Sequence, residues 1–306
     1  MGDPENLPEN APLVFTLHGY GGTGGNFWGF EELAEEHGFI ICSPTGLVDN
    51  FGTPHWNSNF VNYMTTVDDI GFLSSLAIFL QSEYNLDPNK TFSCGMSNGG
   101  YMSWSLACNA PDVFKAIASV TGTMSGNDWN DCNPSSLIPV MQISGENDNI
   151  VPIDGYPEDA FDYEEWGGAP DIYTIFDFWA NLEGCTNSNN GTVQFDYITD
   201  ITFYTNCINN NELQIYSSNN EINLIHASDV AKAIILSLKL YLATSRAKSS
   251  TLKSIAEEDS AGSSAVISSR SAERSSPDSI SKEGNSPASS NSIFSAIILN
   301  SIAWPL

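Results

Sequence analysis

Unbroken apolar runs alternate with helical periodicity along the first two-thirds of the chain. Pro12-Leu13-Val14-Phe15-Thr16-Leu17 is apolar almost throughout, as expected for a strand buried on both faces of a parallel sheet. Past a glycine-rich stretch, Phe30, Leu33, Ala34 and His37 recur at helical spacing, and Gly38 stops the pattern. Phe39-Ile40-Ile41-Cys42-Ser43-Pro44 reads as the next strand, so strand, helix and strand form a βαβ unit. Thr66-Val67-Asp68-Asp69 opens a second helix that runs to about Tyr84, with acids in the first turn, where the helix dipole favours them. A turn over residues 85–89 leads into a third strand, and a helical pattern follows from Gly100 to Cys108. Residues 116–120 and 139–144 read as further strands.

The third strand runs into Gly95-Met96-Ser97-Asn98-Gly99, a Gly-x-Ser-x-Gly string between strand and helix. A serine at the tip of such a turn stands clear of the sheet. Glycines on either side avoid a Cβ collision with the neighbouring strand or helix. The helix N-terminus beneath it offers N–H groups to a developing oxyanion. Taken alone, the string also fits an ordinary glycine turn. Gly19-x-Gly21-x-x-Gly24 formally matches a dinucleotide fingerprint, which requires an acid at the end of the second strand. That strand ends in Cys42-Ser43-Pro44, and the serine turn downstream favours an oxyanion loop, His18-Gly19-Tyr20-Gly21-Gly22, instead.

Residues 45–66 are polar and aromatic, with Phe51, His55-Trp56-Asn57, Phe60 and Tyr63. They fit either a surface loop with packing anchors or a wall of a substrate cleft. Asp148 follows a strand, in Gly145-Glu146-Asn147-Asp148-Asn149-Ile150-Val151-Pro152, where a triad acid belongs in the order Ser, Asp, His. An acidic turn is the competing reading, and no EF-hand spacing is present for a metal.

The chain has 306 residues and a net charge of −27, with 10 basic and 37 acidic residues. Such a balance argues against nucleic acid and anionic membrane as partners. Residues 1–231 hold 31 of the acids but only two bases, Lys90 and Lys115, a break that suggests two segments of different origin. No apolar run reaches the length of a membrane span, and the polar start reads as no signal peptide. Of six cysteines, Cys42 and Cys94 sit in strand-like runs and read as buried thiols. Cys108, Cys132, Cys185 and Cys207 lie at helix ends and in loops where pairing is possible, without metal-type spacing, which favours an oxidising compartment.

Residues 11–216 resemble the secreted α/β-hydrolase esterases of the polyhydroxybutyrate depolymerase and feruloyl esterase family. The resemblance rests on Leu17-His18-Gly19-Tyr20-Gly21-Gly22, His55-Trp56-Asn57, Val67-Asp68-Asp69-Ile70-Gly71-Phe72 and Gly95-Met96-Ser97-Asn98-Gly99-Gly100. Pro111-Asp112-Val113-Phe114-Lys115-Ala116 and Ser144-Gly145-x-x-Asp148-x-x-Val151-Pro152 complete it, in family order. The resemblance implies an α/β-hydrolase fold, a mostly parallel twisted sheet with helices on both faces. It implies Ser97 as nucleophile, Asp148 as triad acid, and backbone N–H groups of Tyr20 and Asn98 as the oxyanion hole. His55, Trp56 and Asn57 would contact substrate, and Cys108–Cys132 and Cys185–Cys207 would be disulfides. It further implies hydrolysis of a carboxylic ester without cofactor or metal, by a monomer outside the cytoplasm, extracellular or periplasmic.

The chain departs from the family after its last clear strand, Glu212-Leu213-Gln214-Ile215-Tyr216. The family's Gly-Gly-His-x-Trp-Pro-Gly segment is absent. His226 is the only histidine after Asp148, so elimination makes it the candidate base, with a histidine at the start of a terminal helix as the competing reading. It precedes an apolar helical pattern, Val230, Ala231, Ile234, Ile235 and Leu238, which leads to the expectation that its ring stops short of Ser97. From Ser245 onward, 20 of 62 residues are serine, too polar to offset ordering entropy, so a hydrolase domain over 1–240 is expected to be followed by a disordered tail over 241–306. These departures point to a C-terminus replaced somewhere after about Tyr216, and to a rival reading as a binding protein that has lost its base.

Overall fold

The computed structural model describes residues 9–25, 30–59, 66–156, 170–194, 198–208, 211–218 and 298–300. In chain order the elements are β1 (Leu13–Leu17), α1 (Phe30–His37), β2 (Ile40–Ser43), α2 (Asp69–Glu83), β3 (Thr91–Met96) and α3 (Asn98–Asn109). There follow β4 (Ala116–Val120), α4 (Gly126–Asp131), β5 (Val140–Gly145), α5 (Ile172–Leu182), β6 (Asn187–Gln194), β7 (Ile198–Thr205), β8 (Leu213–Ser218) and β9 (Ile298–Asn300). They form one sheet in the order β6-β7-β8-β5-β4-β3-β1-β2-β9. Every neighbouring pair from β8 to β9 is parallel, while β6 and β7 form an antiparallel hairpin beside β8. This is the α/β-hydrolase architecture that the sequence implied.

The connections step outward from β1 to β2, then return to β3 on the other side of β1 and continue to β4 and β5. The direction reverses between β1 and β3. Open α/β sheets bind ligands at such a reversal, outside the carboxyl ends of the strands. The loops after β1 and β3, with the glycine stretch and Ser97, leave the sheet there.

Register explains how the core forms. Phe15, Ser93, Ile117, Val140 and Leu213 are paired across five strands and so share one face. Leu73, Leu76, Ala77 and Leu80 of α2 and Met102 and Leu106 of α3 form one buried cluster with Phe15. Trp104 of α3 with Ile175, Phe176 and Trp179 of α5 forms a second, with Ile117, Val140 and Leu213. A fully buried side chain of this size contributes roughly 1.5–3 kcal/mol. Val14, Phe92, Ala116 and Met141, of the opposite parity, are buried as well, as a parallel sheet requires.

Asp68 caps α2 by accepting the Gly71 N–H at 2.8 Å, so α2 begins two to three residues later than the sequence suggested. Asp171 caps α5 through the Thr174 N–H at 2.9 Å. Cys108 at the end of α3 is bridged to Cys132, and Cys185 to Cys207, as the resemblance implied. Cys42 and Cys94 are free and buried, and burial pushes the Cys42 thiol up to about 12. The disordered tail expected over 241–306 lies outside the described residues, except that residues 298–300 form β9 beside β2, with Ile41 opposite Ile298.

Candidate active site

Ser97 joins β3 to α3 with φ 51° and ψ −119°. A left-handed φ at a non-glycine residue costs of order 1–3 kcal/mol and persists only where surrounding structure imposes it. The glycines supply that imposition. A Cβ at Gly95 would stand 2.1 Å from the Gly99 carbonyl oxygen, and one at Gly99 would stand 2.2 Å from that of Leu17. The helix can therefore approach β1 and β3 only with glycine at both places. The Ser97 N–H donates to the Val120 carbonyl at 2.8 Å, and the Tyr101 N–H donates back to the Ser97 carbonyl at 3.0 Å. The Ser97 side chain is half-buried. An ideal Cβ on Gly19 would lie 3.5 Å from the Ser97 Cβ, so the loop after β1 passes directly beside the hydroxyl-bearing carbon.

That loop is tied down by His18 and by residues 46–57. His18 donates from Nδ1 to the Gly19 carbonyl at 2.8 Å and accepts the Gly46 N–H on Nε2 at 2.9 Å. Both ring nitrogens are engaged and the ring must be neutral. Burial lowers its pKa, and His55 lowers it further, against the Gly19 bond. Asn98, the first residue of α3, accepts the Trp56 N–H at 2.6 Å and donates to the Trp56 carbonyl at 2.9 Å. The Trp56 indole donates to the His18 carbonyl at 3.1 Å. Tyr20 donates its hydroxyl to Asp49 Oδ2 at 2.6 Å, and the Gly21 N–H donates to the Pro54 carbonyl at 2.8 Å.

His55, Trp56 and Asn57, expected at the substrate, are drawn into this network. His55 and Trp56 are 1% and 0% exposed. Asn57 is half-buried, its N–H on Asp69 Oδ2 at 2.7 Å and its amide on the Val67 carbonyl at 2.8 Å. The aromatic loop is therefore a brace behind Ser97. Apolar contact with its neighbours outweighs exposure for an indole of this size.

Asp148 lies in the loop after β5 and is 8% exposed. Its Oδ1 accepts the Ile150 and Val151 N–H groups at 2.8 and 3.0 Å. Its Oδ2 is buried and has no hydrogen-bond partner among the described residues. The Tyr101 hydroxyl, one turn into α3 from Ser97, is pushed well up first by burial and then by the charges of Tyr156 and Asp148. The Glu146 N–H donates to the carbonyl of Ser218, the last residue of β8, at 2.8 Å. The chain leaves β8 beside the acid loop. His226 lies outside the described residues.

Among the described residues no group of three or more His, Cys, Asp or Glu side chains is placed to hold a metal ion, and no helix is long and apolar enough to cross a membrane. Two features escaped the sequence reading. Asp49 binds Tyr20, and its signal was the turn string Asp49-Asn50-Phe51-Gly52, in which an Asp accepts N–H groups ahead of it. The Asn98 side chain gave no local signal, because its partner lies 42 residues away in sequence.

A model of the prolyl oligopeptidase family matches residues 64–149, a span that holds both Ser97 and Asp148. "Probable feruloyl esterase C" of Aspergillus niger is 30% identical over 164 residues, 50% of this chain and 55% of that protein. The acetylxylan esterase of Coprinopsis cinerea is 32% identical over 136 residues, 40% of this chain and 34% of that protein. The poly(3-hydroxybutyrate) depolymerase of Ralstonia pickettii is 28% identical over 125 residues, 37% of this chain and 26% of that protein. The chain thus spans about half or less of the length of these relatives. The family resemblance carried by the residues around Ser97 and Asp148 is borne out by relatives that bear those names.

Proposed function

We propose that this protein is a serine carboxylic ester hydrolase. The observation that carries the proposal is a strained, half-buried Ser97 at the strand-to-helix turn together with a buried Asp148, one of whose carboxylate oxygens has no donor among the described residues. A serine hydroxyl is a weak nucleophile until a base takes its proton, and the base needs an acid to orient it. Asp148 Oδ2 suits the Nδ1–H of a histidine. His226 is the only histidine after Asp148 and lies eight residues beyond Ser218. Eight residues reach at most about 26–29 Å, so the tether from the acid loop is long enough for His226 to serve as that base.

In this reading Ser97 attacks the ester carbonyl while His226 takes its proton. The N–H groups of Tyr20 and Asn98 hold the oxyanion, and the alcohol leaves with the proton from the histidine. Water, activated by the same histidine, then releases the acid. The names of the relatives suggest esters of polysaccharides or polyesters as substrates. The two disulfides suit an extracellular or periplasmic monomer, with the hydrolase domain ending near residue 240.

A panel of chromogenic acyl, acetyl-xylan and feruloyl esters, with a prolyl peptide amide as the rival, tests the proposal. Hydrolysis of esters is expected, falling by about 10⁶-fold in Ser97→Ala with unchanged folding. A Ser97→Ala protein within about tenfold of wild type refutes the nucleophile, and amide cleavage alone refutes the ester class.

A further inference from the structure

We infer that Asp49 is a positioning residue for the oxyanion hole, acting through the side chain of Tyr20. The inference rests on the proposed role of the Tyr20 N–H. Residues 48–54 close on themselves. The Asp49 N–H donates to the Thr53 carbonyl at 2.9 Å, the Gly52 N–H donates to the Asp49 carbonyl at 3.0 Å, and Val48 and Pro54 form an isolated antiparallel bridge. The Asp49 side chain sits inside this turn. Its Oδ1 accepts the Phe51 and Thr53 N–H groups at 2.8 and 2.9 Å, which leaves Oδ2 for the Tyr20 hydroxyl at 2.6 Å.

Asp49 is 6% exposed, whereas Tyr20 is 47% exposed. Packing alone does little to hold the Tyr20 ring. Its hydroxyl is held by the bond to Asp49, with the Thr53 side chain of the same turn as a second partner, and its following residue is fixed by the Gly21 N–H on the Pro54 carbonyl at 2.8 Å. These bonds run from the Tyr20-Gly21 segment to the same small turn. Burial tends to raise the Asp49 pKa, but the bonds from Tyr20, Thr53 and Phe51 outweigh it, and the net direction is down. The carboxylate is therefore charged at neutral pH, and a charged acceptor makes the stronger, shorter bond. The peptide between Gly19 and Tyr20 carries the N–H in question. It is held on one side by the close passage of Gly19 past Ser97 and on the other by this turn. An oxyanion donor helps only when it already points at the place where charge develops. Asp49 supplies that fixed direction without touching substrate.

The closing experiment uses Tyr20→Phe, which deletes only the hydroxyl, with Asp49→Asn and the double variant. Each single variant is expected to lower kcat by about tenfold, a fraction of the 10²–10³-fold lost when an oxyanion donor is removed outright. KM should stay within about twofold, and the double variant should lose no more than Tyr20→Phe alone, since removing the hydroxyl already cuts its bonds to both Asp49 and Thr53. Hydrogen exchange of the Tyr20 and Gly21 amides should quicken about tenfold in Tyr20→Phe, with exchange in β3 and α3 unchanged. Full kcat in Tyr20→Phe, or additive losses in the double variant, overturns the inference. If wild type hydrolyses no ester, the proposed reaction fails. The tether is then judged by exchange alone, and unchanged exchange at Tyr20 and Gly21 refutes it.

Discussion

The half of the sheet built from β1 to β3 and the half built from β4, β5 and β8 hold the surroundings of Ser97 by different means. On the first half the ties around Ser97 are hydrogen bonds. Both nitrogens of His18, both amide atoms of Asn98 and both oxygens of Asp49 are engaged, while the two cysteines there, Cys42 and Cys94, stay unbridged. On the second half covalent ties are added, Cys108–Cys132 and Cys185–Cys207, and two buried carboxylates, Asp148 and Glu183, have few donors among the described residues, whereas Asp128 accepts from both Asn59 and Ser105. Asp148 has an oxygen with no partner among the described residues, and Glu183, 0% exposed, has only the Asn211 amide as a side-chain donor. Buried polar groups are normally paired. A saturated carboxylate such as Asp49 is a structural joint. An unsaturated one such as Asp148 is suited to a partner that carries a proton during a reaction.

The strongest test of that contrast removes the charge from Asp148. Asp148→Asn keeps the size of the side chain, and its oxygen can still accept the Ile150 and Val151 N–H groups. It can no longer hold the correct tautomer of a histidine. A fall of about 10⁴-fold in kcat is expected, against about tenfold for Asp49→Asn, although Asp49 makes more bonds. His226→Ala should lose about 10³-fold or more if it is the partner of Oδ2. Steady-state rates on one chromogenic ester measure all three. Equal losses for the two aspartates would erase the contrast, and a His226→Ala protein as active as wild type would show that His226 is not the base.

The covalent ties come next in size. Cys108 and Cys132 close a loop with a sequence separation of 24. The loop-entropy account credits such a bridge with about 3 kcal/mol. Replacing both with serine should lower the unfolding free energy by about that much and leave the hydrogen-bonded half intact. Denaturant titration checks the loss. Rates per folded molecule should remain within about twofold, because neither cysteine belongs to the Ser97 machinery.

The same contrast explains what the sequence made legible. Parallel strands show as unbroken apolar runs, and the Ser97 turn shows because only glycine permits its close approaches. Both are local signals. The acid loop was legible because Asp148 follows directly on an apolar strand. The hairpin of β6 and β7 was not, since Asn187-Ser188-Asn189-Asn190-Gly191 carries no apolar alternation and is shaped by pairing with β7 and β8. Helix α5 had its signals, an Asp171 cap followed by Ile172, Ile175, Phe176 and Trp179 at helical spacing, and went unread. Trp56 could not be assigned from its neighbours in sequence. An aromatic in a polar loop fits a cleft wall as well as a brace, and the Asn98 amide that ties its backbone down lies 42 residues away in sequence.

Glu183 provides the smallest effect and a pH window in which to read it. Burial pushes its carboxyl up to about 7, against the opposing bond from Asn211. Burial likewise pushes Asp128 up to about 6, against bonds from Ser105, Asn59 and Ser125. For a raised carboxyl the sign is fixed. Below the unfolded pKa, about 4.3 for Glu, both states are protonated and its contribution to stability is fully present. As pH rises, the unfolded chain ionises first, so stability falls until the folded pKa is passed. Asp69 and Asp128, also raised, contribute loss at lower pH, Glu183 continues the loss to about pH 7, and His18, whose folded pKa is lowered, opposes it with a gain that ends near its unfolded pKa of about 6.5. Glu183→Gln keeps the shape and cannot ionise. Its thermal midpoint should match wild type near pH 4, and the decline between pH 6 and 7 should disappear. At pH 8 the variant should melt higher by about 2–4 °C, the shift that roughly 1 kcal/mol produces in a chain of this size. Melting curves at pH 4, 6, 7 and 8 decide the matter. A decline that persists between pH 6 and 7 in the variant would show that Glu183 is ionised in the folded protein and that its bonds to Asn211 satisfy it fully.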